Sequence, residues 1–369
     1  MSGGDRAEEK RGRWSWRLGD RRTAFAPPRK ALILQPCCLG RVMLTTPLLA
    51  ALSDAFPAAR FDWAISDWAR QAISSNPRVT RTILTGPGDL AGNDREAMRA
   101  FLDTVRAEGY DTCFIPSQAK ELVRAAADAD IPQRVGLQGA GRGHTLAVQP
   151  PPGERQTARV YLALAAAAGV GAAALEAAEM EFTPPDRDRT AITRWLVEEF
   201  DWLGDTPLVV LHPGGGDNPL ESALNKRWPA ERLARLGNYL ARVHGARVVL
   251  VGSAEERGLA GQVAGMMPVR CANRAGQIGL GELGALCELA SLYVGNDSGA
   301  TCVAAATGCP TLAIYGPTDP AITAPYMVNG RVVTLWRPYE GAFSWANGVS
   351  VDEATAAADQ LLLAHAPAG

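Results

Sequence analysis

The feature that most constrains this chain is an alternation of short apolar runs with longer helical segments, which passes through the sequence twice. The first train opens with Ala31–Gln35 (ALILQ), an apolar run short enough for a strand buried on both faces. Further strands are expected at Phe61–Ile65, Arg81–Leu84, Thr112–Ile115 and Arg134–Gly136. Helical segments fall between them at Val42–Ala55 (with Pro47 in its first turns), Arg95–Glu108 and Lys120–Ala129. The second train follows the pair Pro184-Pro185. It has helices at Thr190–Phe200, Ala230–His244, Leu280–Ala290 and Gly299–Thr307, and strands at Leu208–Leu211, Arg247–Val251, Leu292–Val294 and Thr311–Ile314. Ser350 followed by Glu353 has the spacing of a capping box and predicts a last helix. Strands alternating with helices argue for parallel sheets, so the chain reads as α/β. Two trains predict two Rossmann-like domains facing across a cleft, and each sheet would offer the cleft the carboxyl ends of its strands. The expected division is a basic arm over 1–29, an N-terminal domain over 30–185 and a C-terminal domain over 186–369.

Length and composition agree with this reading. At 369 residues the chain is long for one core and comfortable for two. Hydrophobic residues make up 47% and charged residues 21%, the profile of a globular protein in water. A net charge of −2 gives no electrostatic case for nucleic acid. No apolar run approaches the roughly 18 residues of a membrane span; the softest stretch, Val160–Ala178, reads as an alanine-rich helix with glycines. The seven cysteines (Cys37, Cys38, Cys113, Cys271, Cys287, Cys302 and Cys309) contain no C-x-x-C pair and are expected as reduced core residues. The four histidines lack metal-ligand spacing, so neither a metal site nor a cofactor is expected. The arm carries nine Lys and Arg up to Lys30, with Trp14 and Trp16, and has no apolar core of a secretory signal. Two readings stay open for it: a disordered decoration, or a peripheral contact with an anionic membrane surface.

The sharpest chemical signal is Val294-Gly295-Asn296-Asp297-Ser298-Gly299-Ala300-Thr301. A strand stops at a polar turn and a helix starts at once. Free backbone N–H groups and the helix dipole there form a site for a diphosphate, which Gly299 would let approach closely. Asp297 or Ser298 could instead simply cap the helix. Gly214, Gly215 and Gly216 follow another strand end, where bare backbone can meet phosphate or sugar, or can merely turn. Lys226 precedes Trp228-Pro229 in a loop and can offset charge on a departing diphosphate.

The segment "VGNDSGATCVAAATGCPTLAIYGPTDP" resembles the ADP-heptose:lipopolysaccharide heptosyltransferases, glycosyltransferase family 9. So do "LGRVMLTTPLLAAL", "AFPAARFDWAIS", "LHPGGG", "NKRWPAERLARL" and "ARVVLVGSAEER". The resemblance extends over most of residues 30–365 and implies the GT-B fold. It also implies a metal-independent, inverting transfer of a sugar, usually heptose from ADP-heptose, to a hydroxyl acceptor on a glycan, glycolipid or small molecule. Such an enzyme is expected in the cytoplasm or at the inner face of the membrane. In the family, the lysine matching Lys226 binds donor phosphate, and a carboxylate near Glu255 and Glu256 accepts from ribose hydroxyls, with spacing favouring Glu256. Ile278 falls at the apolar contact for the base, and Ala300, Thr301 and Cys302 lie along the donor helix. Gly40 and Thr45 are expected on the acceptor side.

Two positions depart from the family pattern. The glycine-rich turn after the first strand reads Cys37-Cys38-Leu39-Gly40-Arg41, with Arg41 where the family has an aspartate thought to act as general base. A guanidinium has no acceptor lone pair and stays charged, so it cannot take a proton from a hydroxyl. Asp67, just beyond the second strand, is the candidate substitute. Cys302 stands where the family usually has a histidine, which removes a cationic phosphate contact. A second functional reading follows: a nucleotide-sugar-binding protein with little or no transfer.

Overall fold

A computed structural model describes residues 25–86, 90 and 95–364. The basic arm therefore lies outside the described residues, apart from its last few positions.

The first half is a parallel sheet of β1 (Lys30–Leu34), β2 (Arg60–Ile65), β3 (Arg81–Leu84), β4 (Thr112–Ile115), β5 (Gln133–Leu137) and β6 (Leu146–Val148), in the order β3-β2-β1-β4-β5-β6. Its helices are α1 (Leu39–Met43), α2 (Thr46–Ala55), α3 (Arg95–Glu108), α4 (Lys120–Asp128), α5 (Thr157–Ala167) and α6 (Ala172–Ala177). The second half begins with α7 (Asp186–Glu198) and contains β7 (Leu208–His212), a small hairpin of β8 (Asp217–Asn218) and β9 (Glu221–Ser222), α8 (Ala230–Val243) and β10 (Arg247–Leu250). It continues through α9 (Arg257–Gly265), β11 (Cys271–Asn273), α10 (Leu280–Leu289), β12 (Leu292–Asn296) and α11 (Gly299–Ala306). The chain closes with β13 (Thr311–Ile314), α12 (Pro320–Thr323), β14 (Val332–Leu335) and α13 (Val351–Ala364). The second sheet runs β11-β10-β7-β12-β13-β14, also parallel. Two parallel sheets of six strands, each covered by helices, make the expected α/β fold of two Rossmann-like halves.

Both sheets are buried on both faces, which is why their strands read as unbroken apolar runs. In β1, Ala31 and Ile33 enter one cluster while Leu32 and Leu34 enter another on the opposite face. In β7 the same alternation sends Val209 and Leu211 one way, Leu208 and Val210 the other. Among the described residues no helix is long and apolar enough to cross a membrane.

Several local expectations are corrected. The helix expected over Val42–Ala55 is two helices: α1 ends at Met43, the chain turns through Leu44–Thr45, and Pro47 occupies the first turn of α2, where its missing N–H costs nothing. The alanine-rich stretch likewise divides into α5 and α6 at Gly169-Val170-Gly171. Cys37 and Cys38 are not free thiols; they are joined to each other by a disulfide. Cys113, Cys287, Cys302 and Cys309 are buried and free as expected, while Cys271 is free and half-buried. The capping box forms: the Glu353 N–H donates to Ser350 Oγ at 3.3 Å, and the Ser350 N–H donates to Glu353 Oε2 at 2.7 Å.

Candidate active site

In each sheet the strand order reverses direction once, between β1 and β4 in the first and between β7 and β12 in the second. Ligands of open parallel sheets bind beyond the carboxyl ends of strands at such a point. Here the four segments leaving those four strands all line one cavity of about 1180 Å³ between the halves. They supply Cys38–Arg41 after β1, Ser117 and Gln118 after β4, Gly215 and Gly216 after β7, and Asp297–Ala300 after β12.

The C-terminal wall is built on buried polar groups that satisfy one another. Asn296, 2% exposed, ends β12. Its Oδ1 accepts from the Trp228 N–H at 2.9 Å, and its Nδ2 donates to the carbonyls of Pro213 at 3.1 Å and Gly214 at 2.7 Å. One side chain thus fixes the turn after β7 and the loop carrying Lys226 against the start of α11. Glu256 does the same from the other side. Its carboxylate accepts from the backbone N–H groups of Gly215 at 2.5 Å and Ser253 at 2.8 Å, and lies 3.1 Å from His212 Nε2 and 3.5 Å from Arg227 Nη2. Burial pushes this carboxyl up, but the His212 ring and the two backbone N–H groups more than offset it and hold it well below the ordinary carboxylate range.

Gly215 and Gly216 have φ of 99° and 79°, so a side chain would be strained at either position. A Cβ on Gly215 would meet Ser298 Cβ at 2.8 Å, which shows how closely the turn after β7 approaches the start of α11. At that start, Ser298 Oγ accepts from the Thr301 N–H at 3.3 Å, so the capping reading of this residue holds beside any ligand role. Asp297 is tied by the hydroxyls of Thr318 at 2.8 Å and Thr323 at 3.3 Å, and its Oδ2 lies 3.3 Å from Lys226 Nζ. That ion pair holds the Lys226 ammonium at the cavity wall, with the N-terminus of α11 beside it.

The N-terminal wall is built differently. Leu39, Gly40 and Arg41 begin α1, and Arg41 is exposed to the cavity. Trp68, Arg155, Thr157 and Tyr161 complete this side. Among the described residues no carboxylate lines the N-terminal wall. Arg155 is committed to an ion pair with Asp319 of the other half at 2.9 Å. Burial pushes the Tyr161 phenol up, against the opposing influence of Arg41 and Gln35, so it stays a protonated hydroxyl.

The structure gathers most, not all, of the residues singled out in the sequence. Gly40, Arg41, Gly215, Gly216, Lys226, Glu255, Glu256, Ile278, Asp297, Ser298, Gly299, Ala300 and Cys302 line the cavity. Asp67 does not: β2 ends at Ile65, and the backbone turns so that the Asp67 N–H donates to Gly86 O, leaving the residue exposed away from the cavity wall. Thr45 is fully buried, its hydroxyl donating to Arg41 O at 2.8 Å. The Thr301 hydroxyl points inward to Asn296 O at 2.5 Å, and Gly214 lies behind the wall against Glu256. Packing by itself requires a glycine at 299: a Cβ there would strike Leu39 Cγ at 2.5 Å. Burial pushes the Cys302 thiol far up, aided by Asp297, so it offers a neutral, weak donor where a cation would be expected. Of the two glutamates, Glu256 has both oxygens engaged, whereas Glu255 is exposed at the cavity. Asn296, Arg227 and the hairpin β8–β9 escaped sequence reasoning; the only signal was a polar residue ending an apolar strand.

Two facing Rossmann-like sheets, with a helix start and a lysine together on one wall of the cleft between them, match a GT-B glycosyltransferase architecture. The family model of glycosyltransferase family 9 (heptosyltransferase) matches residues 98–343, and the chain belongs to that family. It is 28% identical over 328 residues to lipopolysaccharide heptosyltransferase 2 of Salmonella typhimurium (strain LT2), covering 84% of this chain and 89% of that protein. Lipopolysaccharide heptosyltransferase 2 of Escherichia coli (strain K12) is likewise 28% identical, with the same coverage. Among solved structures, a family 9 glycosyl transferase from Veillonella parvula superposes with a TM-score of 0.78 at 21% identity, over 91% of this chain and 97% of that one. E. coli ADP-heptose LPS heptosyltransferase II gives 0.72 at 23% identity, over 91% and 99%.

Proposed function

We propose that this chain transfers a heptose from ADP-heptose to a hydroxyl of a lipopolysaccharide-type glycan, with inversion and without a metal ion. The observation that carries this reading is the convergence of Lys226, Ser298–Ala300 at the start of α11, and the bare backbone of Gly215 and Gly216 on one cavity wall. A diphosphate there meets an ammonium and the positive end of a helix, which can carry the charge of the departing ADP. Glu255, exposed at the cavity, presents a carboxylate towards ribose hydroxyls, and Ile278 offers the base an apolar surface. An E. coli heptosyltransferase, WaaC, whose structure contains ADP, shares the fold at a TM-score of 0.66 and 19% identity. Inversion requires the acceptor oxygen to attack from the side opposite the diphosphate, and the cavity has room for both between the two halves. Cytoplasmic action, with contact to the inner membrane surface through residues 1–29, fits a glycolipid acceptor.

Titration with ADP-, GDP-, UDP- and dTDP-sugars tests the donor. ADP-heptose at 100 times its dissociation constant should stabilise the fold by about 2.7 kcal/mol. Preference for another base overturns the ADP reading, and binding that requires magnesium or manganese overturns metal independence. A second reading, a donor-binding protein with little transfer, is favoured by one observation: Arg41 at the cavity with no carboxylate beside it on that wall among the described residues. Tight ADP-heptose binding with neither transfer nor hydrolysis would establish it.

A further inference from the structure

A transfer of this kind needs a group to accept the acceptor's proton, and Arg41 cannot. The cavity carboxylates all come from the other half: Asp217, Glu221, Glu255, Glu256 and Asp297. Four of them are engaged. Glu256 has both oxygens occupied in its clamp. Asp297 holds Lys226 and two threonine hydroxyls. Glu221 lies 3.9 Å from Lys226 Nζ. Its own backbone N–H and the Ser253 hydroxyl hold Glu255 below its ordinary value.

Asp217 is different. It is exposed in the cavity wall, and no ion pair, cap or side-chain hydrogen bond engages it among the described residues. Its position is defined by its neighbours. Gly216 before it packs against the Lys226 stem, its missing Cβ lying 3.5 Å from Lys226 Cβ. Asn218 after it reaches the acceptor wall, its Oδ1 lying 3.2 Å from Cys38 Sγ, in the same turn as Arg41. The hairpin is pinned at its base by the Ala223 N–H donating to Gly216 O at 2.5 Å. It is pinned at its tip by Asn218 Oδ1 accepting from the N–H groups of Leu220 at 3.0 Å and Glu221 at 3.2 Å. Asp217 thus lines the same cavity as Lys226 and the Cys38–Arg41 turn, on the hairpin that links the two walls.

We propose that Asp217 is the general base of this enzyme, carried across the cleft on the β8–β9 hairpin in place of the aspartate that the α1 turn lacks. This rests on the glycosyl-transfer reading above. In the step, the acceptor oxygen forms its bond to the anomeric carbon as the bond from that carbon to the diphosphate oxygen breaks. The hydroxyl proton passes to the Asp217 carboxylate, and the bonding electron pair leaves with the diphosphate towards Lys226 and α11.

Hydrolysis of ADP-heptose, with water as acceptor, tests this without knowing the glycan. ADP affinity, measured alongside, reports on the donor site separately. Asp217→Asn should slow single-turnover hydrolysis by about 10²–10⁴-fold, the usual worth of a positioned base, while ADP affinity stays within about twofold. Formate should restore part of the rate to Asp217→Ala, which a merely structural role would not allow. A rate within threefold of the parent for Asp217→Asn overturns the proposal and leaves the donor site standing. So does a parent that binds ADP-heptose tightly but neither transfers nor hydrolyses it. Loss of hydrolysis in Asp67→Asn but not in Asp217→Asn also overturns it, and returns the role to the residue the sequence suggested. A parent that fails to bind ADP-heptose overturns both readings, and the binding measurement identifies the donor assignment as the fault.

Discussion

The two walls of the cleft hold their functional groups by opposite means. On the C-terminal wall, Asn296 and Glu256 are buried and fully engaged, and each ties together segments far apart in sequence. On the N-terminal wall, Arg41 and Trp68 are exposed side chains on short elements. A buried polar group left without its partner costs about 1–3 kcal/mol, whereas exposed side chains away from such networks change stability by about 0.5 kcal/mol or less. The C-terminal wall therefore has its geometry written into the stability of the fold, while the N-terminal wall can change its chemistry at little structural cost. On that basis an arginine at position 41 sits at little structural cost beside the clamped C-terminal wall.

The contrast can be broken most directly at Asn296. Asn296→Ala strands the Trp228 N–H and the Pro213 and Gly214 carbonyls in a buried place. A loss of about 3 kcal/mol or more is expected in urea unfolding; a loss under about 1 kcal/mol would mean the donor wall does not depend on this residue. Next comes Glu256. Its carboxyl is held below its unfolded value of about 4.3, so its contribution is complete above that pH and is lost as pH falls towards the folded value. The parent should lose stability steeply below about pH 4.3. Glu256→Gln should be less stable at neutral pH by about 1.5–3 kcal/mol, with a shallower acid slope in denaturation series. Equal slopes would remove the clamp from the account.

Binding is the third measure. Lys226→Ala should weaken ADP by about 1.5–3 kcal/mol, roughly 10- to 150-fold, in a calorimetric titration. Unchanged affinity would detach the lysine from the phosphates. The smallest effect is expected at Arg41: Arg41→Ala should alter unfolding free energy by about 0.5 kcal/mol or less and leave ADP affinity unchanged. A stability loss comparable to that of Asn296→Ala would erase the distinction between the walls.

How much of this was legible in the sequence follows the same division. Strands buried on both faces announce themselves as apolar runs, so β1, β2, β4, β7 and β13 were readable nearly to the residue. The edge strands β6 and β14 were not, because their residues are mostly half-buried and the runs are short. The start of α11 was readable because a strand stop, a polar turn and a helix are contiguous. The Glu256 clamp was not, since His212 and Gly215 lie more than 40 residues away and only the fold brings them together. Asp67 looked well placed because it follows a strand on the correct edge, but the side on which a turn leaves its strand is not written in that strand. Asp217 sits among Gly, Asn and Pro, where no periodic pattern singles it out.

The contact between Leu39 and Gly299 has a wider consequence. Cys302, Val303 and Ala305 of α11 belong to the same apolar cluster as Ile33, Trp63 and Leu162 of the first sheet and its helices. The helix whose start lines the cavity is thus a structural member of the opposite half. Swinging the halves apart would bring that shared surface into water at about 25 cal/mol for each Å² exposed. The molecule is therefore expected to melt as one unit rather than as two domains on a tether, because α11 is packed into the core of the first half.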